Sequence, residues 1–199
     1  MVSPQYDIFT LERPLTDTTI AKFSTFRLLA LKTDPAAFAS TYARELAFSR
    51  EVWRELLDSP HQATFVAAVR GELINGDEWV ATVTVVAPSA LPPGSLEPFQ
   101  TAGVRAGWDI YHFVAMWVHP EHRGNGLGRK LVASLLEWVQ NHDDGPKNDN
   151  KDKVVTLMVA ESNESARALY DKMGFEEIQS MRQDKGFVWM MSHIVEHST

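Results

Sequence analysis

The chain has 199 residues, 44% of them apolar, enough for one sizeable core and short for two. Its net charge of −7 argues against a nucleic-acid binder, whose phosphate contacts demand a basic face, and no apolar run approaches the roughly 20 residues that span a bilayer. Cysteine is absent, which excludes disulfides, thiolate metal sites and a cysteine acyl-enzyme.

Met1 to Asp7 has neither the basic start nor the apolar core of a signal peptide, so a soluble protein of the cytoplasm or nucleus is expected. Tyr6 to Glu12 reads as a first strand, closed by Pro14. Thr16 or Asp17 can cap a helix with Ile20, Phe23, Ala30, Leu31 and the stem of Arg27 on one face, and Asp34-Pro35 interrupts it. A second helix is expected from Tyr42 to Pro60, with Leu46, Ser49, Trp53 and Leu56 on one face. Thr64 to Arg70 and Trp79 to Ala87 are β-branched strands joined through Asn75-Gly76, a hairpin signal. Residues 88–107 hold four prolines and three glycines without periodicity, which suits either a disordered loop or a substrate-covering lid.

Ile110 to Val118 reads as a buried strand ended by His119-Pro120. Arg123-Gly124-Asn125-Gly126-Leu127-Gly128 then runs into a helix with apolar Leu131, Val132, Leu135, Leu136 and Val139. A strand, a glycine-rich turn and a helix N-terminus make an anion site, because small residues let the backbone approach and free N–H groups meet the positive end of the macrodipole. Residues 141–153 are polar and of low complexity, a solvated insertion. Val154 to Val159 is a strand expected parallel to the one at 110, across the helix between them. Ser162 or Asn163 caps a helix from Glu164 to Met173, which Gly174 ends. Phe175 to Met181 and Phe187 to Ile194 form a last hairpin turned at Asp184-Lys185-Gly186. The result is one α/β (α+β) domain, residues 1–199 with its core at about 5–194: a mixed sheet with helices on both faces.

The glycine loop is not a P-loop, since Gly128 is followed by Arg129-Lys130-Leu131, nor a dinucleotide fingerprint, since position 129 is arginine. Val118-x-Pro120 followed by Arg123-x-x-Gly126-x-Gly128 resembles the acyl-CoA motif of the GCN5-related N-acetyltransferase (GNAT) family. Asn163-x-x-Ala166-x-x-x-Tyr170-x-x-x-Gly174-Phe175 resembles a second signature of that family. The resemblance implies a mainly antiparallel sheet whose central parallel strand pair splays to form the acyl-CoA cleft. It also implies that backbone amides of residues 123–129, Arg123, Gly124, Asn125, Gly126, Leu127, Gly128 and Arg129, wrap the pyrophosphate. Met116, Trp117 and Val118 would then face the pantetheine arm, with the Met116 N–H donating to the thioester carbonyl, and Asn163 would bond the arm, orient Tyr170 or only cap its helix.

Under that resemblance the protein transfers an acetyl group from acetyl-CoA to a primary amine, on a small molecule, a lysine or an N-terminus, as a monomer or homodimer. The alternative is a non-catalytic acyl-CoA-binding domain. Tyr170 is the candidate acid for the departing thiolate, since a phenol stays protonated at neutral pH, and the competing reading is a packed helix tyrosine. His112 stands where the family often has a glutamate base; its ordinary pKa near 6.5 suits the task, and strand alternation puts it on one face with Val114, Met116 and Val118. A packed core histidine is the other reading, with Asp109, Tyr111, Glu161 or a water chain as alternative bases. His112, His119 and His122 have no recognised metal spacing, so no metal is expected. Trp53, Trp108 and Trp117 are candidates to line an amine pocket.

Overall fold

The computed structural model describes residues 4–70, 78–105, 107–144, 152–183 and 186–195. Strand β1 (Tyr6–Thr10) is followed by helices α1 (Asp17–Thr33), α2 (Tyr42–Leu46) and α3 (Arg50–Leu57). Strands β2 (Gln62–Val69) and β3 (Glu78–Val86) follow, then α4 (Glu97–Thr101), β4 (Asp109–Val118) and α5 (Leu127–Asn141). The chain continues with β5 (Lys153–Ala160), α6 (Glu164–Lys172), β6 (Glu176–Gln183) and β7 (Gly186–Val195). One seven-stranded sheet has the order β1-β2-β3-β4-β5-β7-β6, antiparallel except for the β4–β5 pair. The crossover through α5 forces that parallel pairing, as the order of elements predicts. The Asn75-Gly76 turn, most of the polar insertion and the 184–185 turn lie outside the described residues.

Two faces of the sheet are covered differently. On one, α5 and α6 lay Leu127, Leu131, Leu135, Val139 and Tyr170 against Phe65, Val83, Phe113 and Leu157. On the other, α1 and α3 bring Ile20, Phe23, Phe26 and Trp53 onto Val66, Ala68 and Trp117. The same face is covered further along by Phe99 and Val104, which pack on Ile110, Val154 and Met190. Burial on both faces explains why β2 and β3 read as continuous apolar runs rather than alternating ones.

Three expectations change. The helix expected over 42–60 is two helices, because Ser49 accepts a bond from the Val52 N–H and starts a second one. Leu46 and Leu56 are therefore exposed while Trp53 and Leu57 are buried. Residues 88–105 are neither a disordered loop nor a lid hinged over the cleft: Phe99 of α4 is wholly buried beneath them. Finally, β4 does not alternate along its whole length. Thr82 pairs with Trp117 and Thr84 with Val114, so Val83 faces two residues of β4, and Ala115 adopts a left-handed φ of 56°. This bulge reverses side-chain parity. Tyr111 and Phe113 before it, and Met116 and Val118 after it, all belong to the α5/α6 side, whereas Trp117 packs on the α1 side. His112, stacked edge-on to Phe99, is thus on the opposite face from Met116 and Val118.

Candidate active site

The parallel ladder is short. β4 and β5 are in register only from Asp109–Lys153 to His112–Thr156, although both strands run on, β4 to Val118 and β5 to Ala160. The strands part beyond that last pair, and a cleft of about 730 Å³ opens there. Its walls are Met116, Trp117 and Val118 of β4, the loop and first turn of α5, the stretch Ser162–Asn163, and Ala166, Leu169 and Tyr170 of α6.

The glycine turn shows why those residues are needed. Gly124 and Gly126 have φ of 80° and 73°, the left-handed region, and a Cβ on either would meet nothing within 4 Å. Backbone there faces open space, as a phosphate cradle requires. Gly126 is also the N-cap of α5, so the helix presents uncapped N–H groups and its positive end to the cleft. Gly128 differs: a Cβ would lie 2.9 Å from Leu169 Cδ2 and 3.3 Å from Met116 Cε. It keeps α5 tight against α6 and β4. Asn125 braces the turn, its amide donating to the carbonyls of His122 and Arg123, and faces a neighbouring concavity with Tyr6 and Lys130 rather than the cleft.

Arg123 holds the turn to the rest of the molecule. Its Nε donates to the Val118 carbonyl (3.0 Å) and its Nη2 to Asp34 Oδ2 (2.6 Å). Trp117 Nε1 donates to the same carboxylate oxygen at 2.6 Å. Asp34 caps the C-terminal end of α1, and the residues after it, Pro35 to Ala37, complete the cleft wall. Reading the sequence finds Asp34-Pro35 only as a helix stop; nothing local announces that it reaches Arg123.

Tyr170, 5% exposed, packs edge-on to Phe113 at 5.3 Å and beside Phe175 at 5.9 Å. Desolvation pushes its pKa up, so the phenol stays protonated. Asn163 caps α6 through the Ala166 N–H (3.3 Å) and also borders the cleft. His112 does not line the cleft; it stands at the last paired rung, where the strands part. Its Nδ1 is 3.2 Å from Thr156 Oγ1, and desolvation pulls its pKa down to about 4. Tyr111 is wholly buried with its hydroxyl toward the His142 carbonyl, while Glu161 is exposed beside the cleft residues Ser162 and Asn163. The three tryptophans are not gathered: Trp53 is core, Trp108 packs beside Ile110, and only Trp117 borders the cleft. His122 pairs with the Tyr6 hydroxyl and His119 with the Glu121 N–H, so the spacing of His112, His119 and His122 yields no cluster among the described residues.

A family profile described as an acetyltransferase (GNAT) domain matches residues 60–177, more than half of the chain. The chain belongs to the GNAT acetyltransferase family. A 5-NmdU N-acetyltransferase of Pseudomonas phage PaMx11 is 33% identical over 72 residues, 36% of this chain. This chain spans about two fifths of the length of that curated relative, 42%. Arabidopsis thaliana NAA60, solved in complex with a bisubstrate analogue, superposes with a TM-score of 0.64 at 12% identity, over 96% of this chain and 100% of that one. A GNAT-family acetyltransferase from Streptococcus pneumoniae superposes equally well, TM-score 0.64 at 20% identity, again over 96% and 100%. Those likenesses carry the fold: the mixed sheet with its single parallel pair. No helix among the described residues is long and apolar enough to cross a membrane.

Proposed function

We propose that the protein is an N-acetyltransferase that moves the acetyl group of acetyl-CoA directly onto a primary amine. The observation that carries this reading is the splay of β4 from β5 beyond His112–Thr156, opening onto a glycine turn at a helix N-terminus with a protonated tyrosine in the wall. The turn's free N–H groups and the end of the α5 dipole suit a pyrophosphate, with Arg129 adding positive charge and Arg123, ion-paired to Asp34, holding the turn in place. Beyond the last paired rung the β5-facing edge of β4 has no partner strand, so backbone groups around Met116 are offered to a pantetheine arm, while the Val118 carbonyl is taken by Arg123.

In the reaction a neutral amine attacks the thioester carbonyl, the C–N bond forms and the C–S bond breaks. The Met116 N–H is the donor assigned to the developing oxyanion, and Tyr170 gives its proton to the departing sulfur. The nitrogen's surplus proton leaves toward solvent, with His112 at the branch point of the strands as the first side chain to test, and a proton from solvent restores the Tyr170 phenol. With no cysteine in the chain, a thiol-bound acetyl intermediate is unavailable.

The test is thiol release from acetyl-CoA against a panel of small amines, polyamines, amino acids and peptides, with both substrates varied. Acceptor-dependent release and intersecting initial-rate lines are expected. Binding of acetyl-CoA without release on any acceptor would favour the non-catalytic domain instead. Parallel lines would replace direct transfer by a covalent intermediate.

A further inference from the structure

We propose that His61, His142 and Asp144 form a binding site for a borderline first-row divalent cation, of which zinc is the representative. The three come from two places: His61 just before β2, and the end of α5, where His142 is the C-cap and Asp144 follows two residues on. Asp144 Oδ1 lies 3.0 Å from His61 Nδ1 and 3.8 Å from His142 Nε2, and one ligand atom from each residue lies within 4.8 Å of the others. Donors about 2.0–2.1 Å from a tetrahedral zinc are roughly 3.3 Å apart, so the spread brackets what one ion needs.

Hydrogen bonding does not account for the cluster. His61 Nδ1 and His142 Nε2 are inaccessible to solvent and make no hydrogen bond: the Asp144 carboxylate oxygen lies 3.0 Å from the first without hydrogen-bond geometry and 3.8 Å, too far, from the second. Two buried imidazole nitrogens beside one carboxylate and without hydrogen bonds are costly by themselves, and a cation between them satisfies all three.

The surroundings are those of a prepared site. Asp144 has a side chain only 6% exposed, and its carboxylate is fixed by Ser89, whose N–H reaches Oδ2 (2.8 Å) and whose hydroxyl reaches Oδ1 (2.6 Å). The His142 ring stacks on Trp138 with centroids 4.0 Å apart and planes at 18°, which fixes its orientation. Imidazole nitrogens with one carboxylate, in a chain without thiols, select zinc, nickel, cobalt or copper over magnesium and calcium. The 15 residues of α5 put the site about 22 Å from the glycine turn, so the ion ties α5, β2 and the 88–105 segment together rather than taking part in acetyl transfer.

The experiment uses the full chain without any histidine tag, stripped with a chelator and titrated with Zn²⁺ by calorimetry, with thermal unfolding measured in parallel. One equivalent of zinc and a rise in Tm are expected. His61→Ala removes a ring that is 44% exposed and so leaves the chelator-treated Tm near that of the parent, while the zinc equivalent disappears. Ser89→Ala, which loses the hydroxyl that orients the carboxylate, weakens zinc binding roughly tenfold or more. Failure to bind a zinc equivalent overturns the proposal, as does equal binding by His61→Ala. Neither outcome bears on acetyl-CoA, whose binding is read separately.

Discussion

Asp34 and Arg123, 89 residues apart in sequence, share an ion pair of 2.6 Å, and the same carboxylate oxygen accepts the indole N–H of Trp117. One side chain therefore ties the end of α1 to both the splayed strand and the glycine turn. Asp34→Ala leaves the N–H of Trp117, a residue 4% exposed, without its partner, at a cost of about 1–3 kcal/mol. For a chain of this size that is roughly 2–4 °C of Tm per kcal/mol. Thermal unfolding is expected to show this drop, with a smaller one for Asp34→Asn, which keeps an acceptor oxygen. Acetyl-CoA affinity should fall alongside because Arg123 loses its anchor; an unchanged Tm in Asp34→Ala would contradict the assignment.

The glycines separate by mechanism. Gly126→Ala meets no atom, so its cost is the left-handed backbone alone, about 1–2 kcal/mol, seen as a lower Tm. Gly128→Ala has no such strain, and alanine favours a helix by up to about 1 kcal/mol. Its Cβ instead displaces the flexible ends of Leu169 and Met116, both in the cleft wall. Tm near the parent's with a raised KM for acetyl-CoA is the expected result, and a KM equal to the parent's would remove those side chains from the binding surface.

Tyr170→Phe deletes one oxygen and keeps the ring between Phe113 and Phe175. Acetyl-CoA affinity should hold while kcat falls by about 10²–10⁴-fold where thiolate departure limits the rate. Steady-state kinetics with a good acceptor decide it, and an undiminished kcat returns the residue to a packing role.

His112 has its pKa lowered to about 4 by desolvation, which moves its consequences down the pH scale. The imidazole is already neutral at pH 6, so no activity limb near its ordinary 6.5 is expected from it. A rise with pH is expected from the acceptor amine, which must be neutral to attack. Because the folded pKa lies below the unfolded one, the unfolded chain takes up the proton first as pH falls. Stability that is full above about 6.5 is then lost progressively toward 4, by at most about 3 kcal/mol. His112→Gln cannot titrate, so its Tm should fall less than the parent's between pH 6.5 and 4.5. Should the two Tm curves run parallel, the histidine is solvated rather than packed. A kcat in His112→Gln equal to the parent's at pH 7.5 would leave proton removal to solvent or Glu161.

Local chemistry made much of this protein legible from sequence. Proline and glycine positions, β-branched runs and capping residues act within a few neighbours, so Thr16 and Asn163 cap the expected helices and the glycine turn precedes α5. The crossover through α5 fixed the single parallel pair. Period-two reasoning failed at β4 because a bulge depends on how Val83 meets its partner strand, and Ala115 looks like any other strand residue. Tertiary structure alone brought Asp34 to Arg123 and His61 to His142 and Asp144. Those contacts join segments tens of residues apart, and their energy comes from burial and charge pairing that exist only once the sheet is assembled.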